Sequence, residues 1–396
     1  MKRLKILQVF SRYLNPGGEE ISVYRIGDAL QQQHEVEYFL GSTDELLGST
    51  PLTRISAPFR AFHNLPVARR LQRYQEVGKF DLWQVHNVLP GLSPSVYQTA
   101  FSLGVPIVHY LHNYRMGCIN GFFLNHGESC ERCLGGNFWP AFQTACWHDS
   151  RLVSGLAALI TLRIRQIGSF QRVAAWVALS QAQRKKHVEI GLPEERVHVI
   201  PHFFEPKGDP LAPCPQGDVL FLGRLSPEKG VDYLLRAWKL LPPSTRRLRI
   251  AGDGPELPKL RALAGSLGLT NVDFLGFLDG DQQREAWRQT AFSVIPSIWG
   301  EPFPLTFLES WTNGRTFVSN RLGAMAEVVK EGKDGLLAEP FSAESLAGQI
   351  RKLISAPEAC VSMGESGRAR ILNEFNRKVW MDKIHQTYLK ALSCPV

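Results

Sequence analysis

Residues 203–217 read FFEPKGDPLAPCPQG, so dense in proline and glycine that neither a helical nor a strand period survives there. The stretch interrupts an alternation of apolar strand-like and amphipathic helix-like runs that continues on both sides of it. Before it, Lys5–Phe10, Val36–Leu40, Asp81–His86, Pro106–Leu111, Trp176–Ser180 and His198–Pro201 read as strands, with helices at Ile21–Gln33, Ser93–Leu103 and Gln181–Ile190. After it, Asp218–Gly223, Arg247–Ala251, Val272–Leu275, Phe292–Pro296 and Thr316–Ser319 read as strands, and helices fall between them. This is the rhythm of βαβ units and parallel sheets. The fold class is therefore α/β, expected as two facing Rossmann-like domains with a central cleft. The first covers 1–202, the linker 203–217 and the second 218–375, while 376–396 is a final helix with Trp380, Ile384 and Tyr388 at i, i+4, i+8. That helix either caps the second domain or packs back across the hinge.

Composition agrees with two ordinary domains. The chain has 396 residues, 44% hydrophobic and 21% charged, and its 45 Lys and Arg against 37 acids give a net charge of +8. A basic balance suits phosphates, nucleic acid or an anionic membrane surface. The basic residues are scattered and lack the aromatic interleaving of a single-strand binding groove, so no nucleic-acid partner is expected. The apolar run after Met1-Lys-Arg is too short for a signal core, and no stretch reaches the roughly 20 apolar residues of a spanning helix. The expected location is cytoplasmic, with any membrane contact peripheral, on the cytoplasmic face, and aided by the basic run Arg163–Arg172.

Several motifs fall where strands give way to helices. Phe221-Leu-Gly-Arg-Leu-Ser-Pro-Glu-Lys-Gly230 puts Arg224 and Lys229 at a strand's carboxyl edge, a fork and a mobile point charge suited to a diphosphate. Glu301 and Glu309 bracket EPFPLTFLE, one acid at a helix entrance and one inside the helix, where amides favour phosphate and carboxylates accept from sugar hydroxyls. Gly17 and Gly18 lie between the first strand and first helix and allow close backbone approach, but they do not spell the dinucleotide fingerprint GxGxxG. That departure argues against a nicotinamide dehydrogenase. His112 follows the strand Pro106–Leu111, again at a carboxyl edge; a histidine there serves either the site or the local structure.

Gly17-Gly18, His112, GRLSPEKG, AGDGPE at Ala251–Glu256, the paired glutamates, and Gly323-Ala-Met-Ala-Glu327 before Asp334-Gly-Leu-Leu337 together resemble the retaining glycosyltransferases of family 4. The resemblance implies the GT-B arrangement and a UDP- or GDP-sugar held mainly by the second domain. By that resemblance Arg224 and Lys229 hold the diphosphate, Glu309 the ribose hydroxyls and Glu301 the transferred sugar, with Gly276-Phe277 at the base. Gly17, Gly18 and His112 would complete the site from the first domain, making His112, Glu301, Arg224 and Lys229 the catalytic set. Pro304 stands where many relatives have glycine, so phosphate contacts pass to the amides of Leu305 or Thr306. Retention in this family implies front-face attack without a protein nucleophile and without a catalytic metal. The acceptor is expected to be a saccharide or lipid-linked saccharide in surface polysaccharide or glycolipid synthesis. Two other readings are a sugar-nucleotide epimerase and a non-catalytic zinc or nucleic-acid module.

Between about 113 and 150 the chain carries an insertion with Cys118, Cys130, Cys133 and Cys146 in the pattern C-x11-C-x2-C-x12-C. The spacing suits a structural zinc ion, and buried free thiols are the alternative. His126 or His148 could replace one ligand.

Overall fold

The computed structural model describes residues 2–12, 17–47, 51–89, 91–206, 208, 210–243 and 246–394, so Asn15 and Pro16 of the glycine stretch lie outside it. The chain forms two compact units, Met1–Pro201 with Trp380–Val396, and His202–Val379.

The first unit is built on a parallel sheet of β1 (Lys5–Arg12), β2 (Glu35–Ser42), β3 (Leu82–Val85), β4 (Ile107–Tyr110), β7 (Ala175–Ala178) and β8 (Val197–Val199). Their order is β2-β1-β3-β4-β7-β8, while β5 (Leu124–Asn125) and β6 (Glu128–Ser129) form a separate hairpin in the insertion. Strands β3, β4 and β7 are buried at every residue, as an internal parallel strand covered on both faces must be. Trp83 and Trp176, wholly buried, anchor a core with Leu7, Val85, Ile107 and Phe170. Two helices that the alternation does not announce, Pro51–Phe62 and Leu65–Gly78, lie between β2 and β3. The second begins on a cap, the Asn64 side chain accepting from the Val67 amide at 3.3 Å, with Pro66 in the first turn.

The second unit repeats the plan. Strands β9 (Asp218–Leu222), β10 (Leu248–Ala251), β11 (Val272–Gly276), β12 (Thr290–Ile295), β13 (Thr316–Asn320) and β14 (Leu336–Ala338) pair in parallel in the order β11-β10-β9-β12-β13-β14. The order reverses between β9 and β12. Connections leave in opposite directions there, and the carboxyl ends of these two strands open the crevice where such sheets bind ligands.

Of the final helix Arg377–Ser393, the part from Trp380 onward clusters with the first unit. Trp380 donates its indole N–H to the Tyr110 hydroxyl at 2.9 Å, the Tyr388 hydroxyl donates to Gln84, and the rings of His385 and His34 meet at 2.8 Å between their Nε2 atoms.

Candidate active site

In the second unit the loop leaving β9 carries Gly223, Arg224, Leu225 and Ser226, then a single turn, Pro227–Lys229, before the helix Val231–Lys239. Neighbouring loops lock it in place. The Leu225 amide donates to the Asp253 carbonyl at 2.9 Å, the Glu256 amide to the Leu225 carbonyl at 3.0 Å, and the Ile298 amide to the Glu228 carbonyl at 3.0 Å. At Gly252, with φ +142°, a Cβ would run into the Gly223 carbonyl, which explains the first glycine of AGDGPE. Gly323, φ +51°, packs just as closely on the backbone of Gly300 and Glu301, and the Ala324 amide donates to the Glu301 carbonyl at 3.1 Å. Four carboxyl-edge loops, after β9, β10, β12 and β13, thus form one interlocked rim.

The rim presents two ion pairs. Lys229 Nζ reaches Glu301 Oε1 at 2.8 Å, and Ser297 donates its hydroxyl to the same oxygen. Arg224 reaches Glu228 Oε1 at 2.8 Å, where the Ser226 hydroxyl also donates, at 2.6 Å. Burial pushes the Glu228 carboxyl up, but the Ser226 hydroxyl and the Arg224 guanidinium outweigh it and hold the group below the usual carboxylate range. The carboxylates lie inside while the Arg224 side chain stays 59% exposed. Each cation is held by a buried acid, and Lys229 is about a quarter exposed beside the more open Arg224.

Glu309 stands on the helix Leu305–Thr312 and accepts from Gln283 Nε2 at 3.1 Å. No side chain caps that helix, because its N-cap is Pro304. The amides of Leu305 and Thr306 open its first turn, and Thr306 Oγ1 donates to the Leu222 carbonyl at 3.3 Å, placing that turn against the end of β9. Gly276 closes β11, two strands away, and Phe277 after it is 80% exposed. Sequence reasoning brings Arg224, Lys229 and Glu301 to this edge but misses Glu228, although it sits inside the quoted GRLSPEKG, and Ser297.

In the first unit His112 follows β4 and its Nε2 lies 2.9 Å from His86 Nδ1, the two rings stacked with centroids 5.2 Å apart. His86 Nε2 lies 2.6 Å from Gln8 Oε1. A carbonyl oxygen only accepts, so a neutral His86 carries its proton on Nε2 and accepts a hydrogen bond at Nδ1 from the Nε2–H of His112. Burial pushes the His112 imidazole down to about 3, which keeps it neutral in the physiological range. Both histidines line a cavity of about 30 Å³ with Asn87, Asn113 and Arg115. Asn113 reaches Glu19 at 3.5 Å, in the first turn of the helix Gly18–Gln31, which Gly17 caps. Open space surrounds the position of a Cβ on Gly17.

The basic run Arg163–Arg172 does not offer the free cationic face that its composition suggests. Arg163 lies over Phe62, Arg165 over Phe138 and Phe170, and Arg172 over Phe101 at 4.1 Å, so each guanidinium is committed to an aromatic ring. Among the described residues no helix is long and apolar enough to cross a membrane. The four cysteines of the insertion are free thiols around one small cavity, and among the described residues no three His, Cys, Asp or Glu side chains stand ready-arranged to hold a metal ion.

Two family models match successive parts of the chain. The model for glycosyl transferases group 1 matches residues 208–370, and that for Glycosyltransferase Family 4 matches 16–207. Anabaena HepE, solved with UDP and glucose, superposes with a TM-score of 0.71 over 98% of this chain and 100% of its own, at 18% identity, which establishes the fold. A D-inositol 3-phosphate glycosyltransferase from Acidothermus cellulolyticus is 28% identical over 77% of this chain and 66% of its own length. An exopolysaccharide phosphotransferase from Streptomyces coelicolor is 33% identical over 48% of this chain, a match spanning only 21% of that relative. The two models together span residues 16–370, and the fold is the GT-B arrangement, while the matches to the first curated relatives span less than half of those relatives' own length.

Proposed function

We propose that the protein is a retaining glycosyltransferase that moves a sugar from a nucleotide-diphosphate sugar to a saccharide or lipid-linked saccharide acceptor in surface polysaccharide or glycolipid synthesis. The observation that carries this reading is the pair of cations at the β9 edge, each backed by a buried carboxylate, beside an uncapped helix entrance. Such a rim fits a diphosphate that gains charge as it leaves. In front-face transfer the bond from the anomeric carbon to the phosphate oxygen breaks, the acceptor oxygen bonds on the same face, and its proton passes to the departing phosphate. Arg224, Lys229 and the Leu305 and Thr306 amides stabilise that leaving group, and the reaction requires no protein nucleophile. Glu301 orients Lys229 and accepts from hydroxyls of the transferred sugar. Glu309 takes the ribose hydroxyls, and Phe277 with Gly276 takes the base. Gly17, Gly18 and neutral His112 serve the same reaction from the first unit. The UDP and glucose held by Anabaena HepE support a sugar donor carried on a nucleotide, here UDP or GDP, and nothing observed favours an epimerase or a nucleic-acid module.

Arg224→Ala and Lys229→Ala are each expected to lower turnover roughly 10²–10³-fold in folded protein, the cost of removing one preorganised charge stabiliser. Wild-type-like turnover in both variants would remove the diphosphate clamp. NMR of the first product should show the donor's anomeric configuration kept, and an inverted linkage would overturn retention. Association with an anionic membrane face, if it serves delivery of a lipid-linked acceptor, draws on the net charge of +8 rather than on Arg163–Arg172.

A further inference from the structure

The segment between β4 and the helix Arg151–Gln166 is long and almost without regular structure: a hairpin of two-residue strands and a five-residue helix, Trp139–Gln143. Its own apolar cluster is small, formed by Ile119, Cys133, Phe138 and Ala141 with Ala157 and Ala158 of the following helix. Phe123, His126, Ala145, His148 and Asp149 all take positive φ, five of the eight non-glycine residues that do so among those described. Such conformations cost about 1–3 kcal/mol each and persist only where something over-determines the chain. A segment with so little core generally needs a covalent or metal staple.

The four cysteines occupy the place where a staple would act. Cys118, Cys130, Cys133 and Cys146 line a single cavity of about 10 Å³, although up to 28 residues separate them. Backbone amides point at the sulfurs: Phe123 N–H donates to Cys118 Sγ at 3.4 Å, and the backbones of Ala141 and Asn120 bond Cys133 and Cys146. Arg132 donates Nε–H to Cys130 Sγ at 3.3 Å. The tight turn at Cys130–Cys133 is fixed by the Leu134 amide bonding Glu131 at 2.9 Å and the Gly136 amide bonding Cys133 at 3.0 Å, which directs both side chains of the C-x2-C pair to one side. His126 and His148 are exposed and absent from the cavity lining, so the donor set is four sulfurs.

We propose that Cys118, Cys130, Cys133 and Cys146 bind one structural zinc ion as a tetrahedral four-thiolate site that staples this segment. Protonated thiols have no reason to gather to the sulfur–sulfur spacing of about 3.8 Å that tetrahedral bonds of about 2.3 Å impose, and the ion draws them in as their protons leave. The staple acts next to the described site. The Tyr114 amide bonds the Gly121 carbonyl at 3.1 Å, so the turn that begins at Cys118 holds the residues directly after His112 and Asn113.

The full chain purified without chelator should carry about one zinc per chain by elemental analysis. Replacing zinc with cobalt should produce the thiolate-to-metal charge-transfer and intense visible bands of tetrahedral sulfur ligation. Cys130→Ser with Cys133→Ser should lose the ion, and Cys214→Ser, outside the segment, should keep it. If the double variant does not fold, the cobalt spectrum of the wild-type chain still decides. All seven thiols titratable in the unfolded chain, with neither zinc nor a cobalt spectrum after reconstitution, would overturn the proposal, as would two disulfides by mass.

Discussion

The Glu228 carboxylate touches no substrate in this account, yet it aims the guanidinium that does. Glu228→Gln keeps the shape but loses a charge-assisted bond worth roughly 1.5–3 kcal/mol, so turnover should fall about 10–100-fold, less than in Arg224→Ala. A variant as damaged in stability as in turnover would make Glu228 merely structural, and calorimetry beside kinetics tells the two apart. A second residue-scale expectation concerns histidines held neutral. Burial pushes His109 down to about 3 and His187 down to about 4. The unfolded chain, with histidines near 6.5, binds more protons between those values, so stability is full above about pH 6.5 and declines as pH falls toward 4, by at most about 1.4 kcal/mol per unit per histidine. Melting temperatures at pH 7.5, 6.5 and 5.5 should therefore drop mainly across the last step, and a flat or rising series would contradict it. Neither Gln8 nor Gln84, which support His86 and Tyr388, could be read from the chain. A polar residue inside an apolar strand reveals its role only when its partners, 76 to 304 residues away, are in place.

At the scale of elements, the final helix is joined to the first unit by hydrogen bonds whose loss can be measured. Tyr388→Phe keeps the ring and strands the Gln84 oxygen, an unmet buried acceptor costing about 1–3 kcal/mol. Trp380→Ala, which also empties a fully buried site, should cost about 3–5 kcal/mol. Chemical denaturation should rank the two variants in that order, and the reverse order would mean that the helix is held by polar contacts more than by packing. The spacing of Trp380, Ile384 and Tyr388 made this helix legible, and the apolar, β-branched runs made eleven of the strands legible. Strand β14, three residues long, and the two-residue strands of the insertion carry no period to detect. The helix Leu65–Gly78, which the alternation misses, carries its signal in Asn64 and Pro66, a matter of capping rather than of periodicity.

At the scale of the molecule, a ligand that binds one folded unit stabilises that unit by mass action. UDP at a hundred times its dissociation constant should add about 2.7 kcal/mol, with hydrogen-exchange protection rising at the carboxyl edge of the second sheet. Protection confined to the first unit would move the nucleotide away from Arg224 and Lys229. The charges also look different at this scale. The arginines of 163–172 spend their guanidinium faces on aromatic rings, so composition overstated what that run offers to a surface. The interlocked rim carries a consequence for recombination. Because the loops after β9, β10, β12 and β13 hold one another through main-chain hydrogen bonds and glycines with no room for a side chain, they are a single unit of inheritance. A chimera that imports one of them from a relative of different donor preference breaks its seams with the adjoining loops, whereas transplanting all four together preserves every joint and lets the preference travel with them.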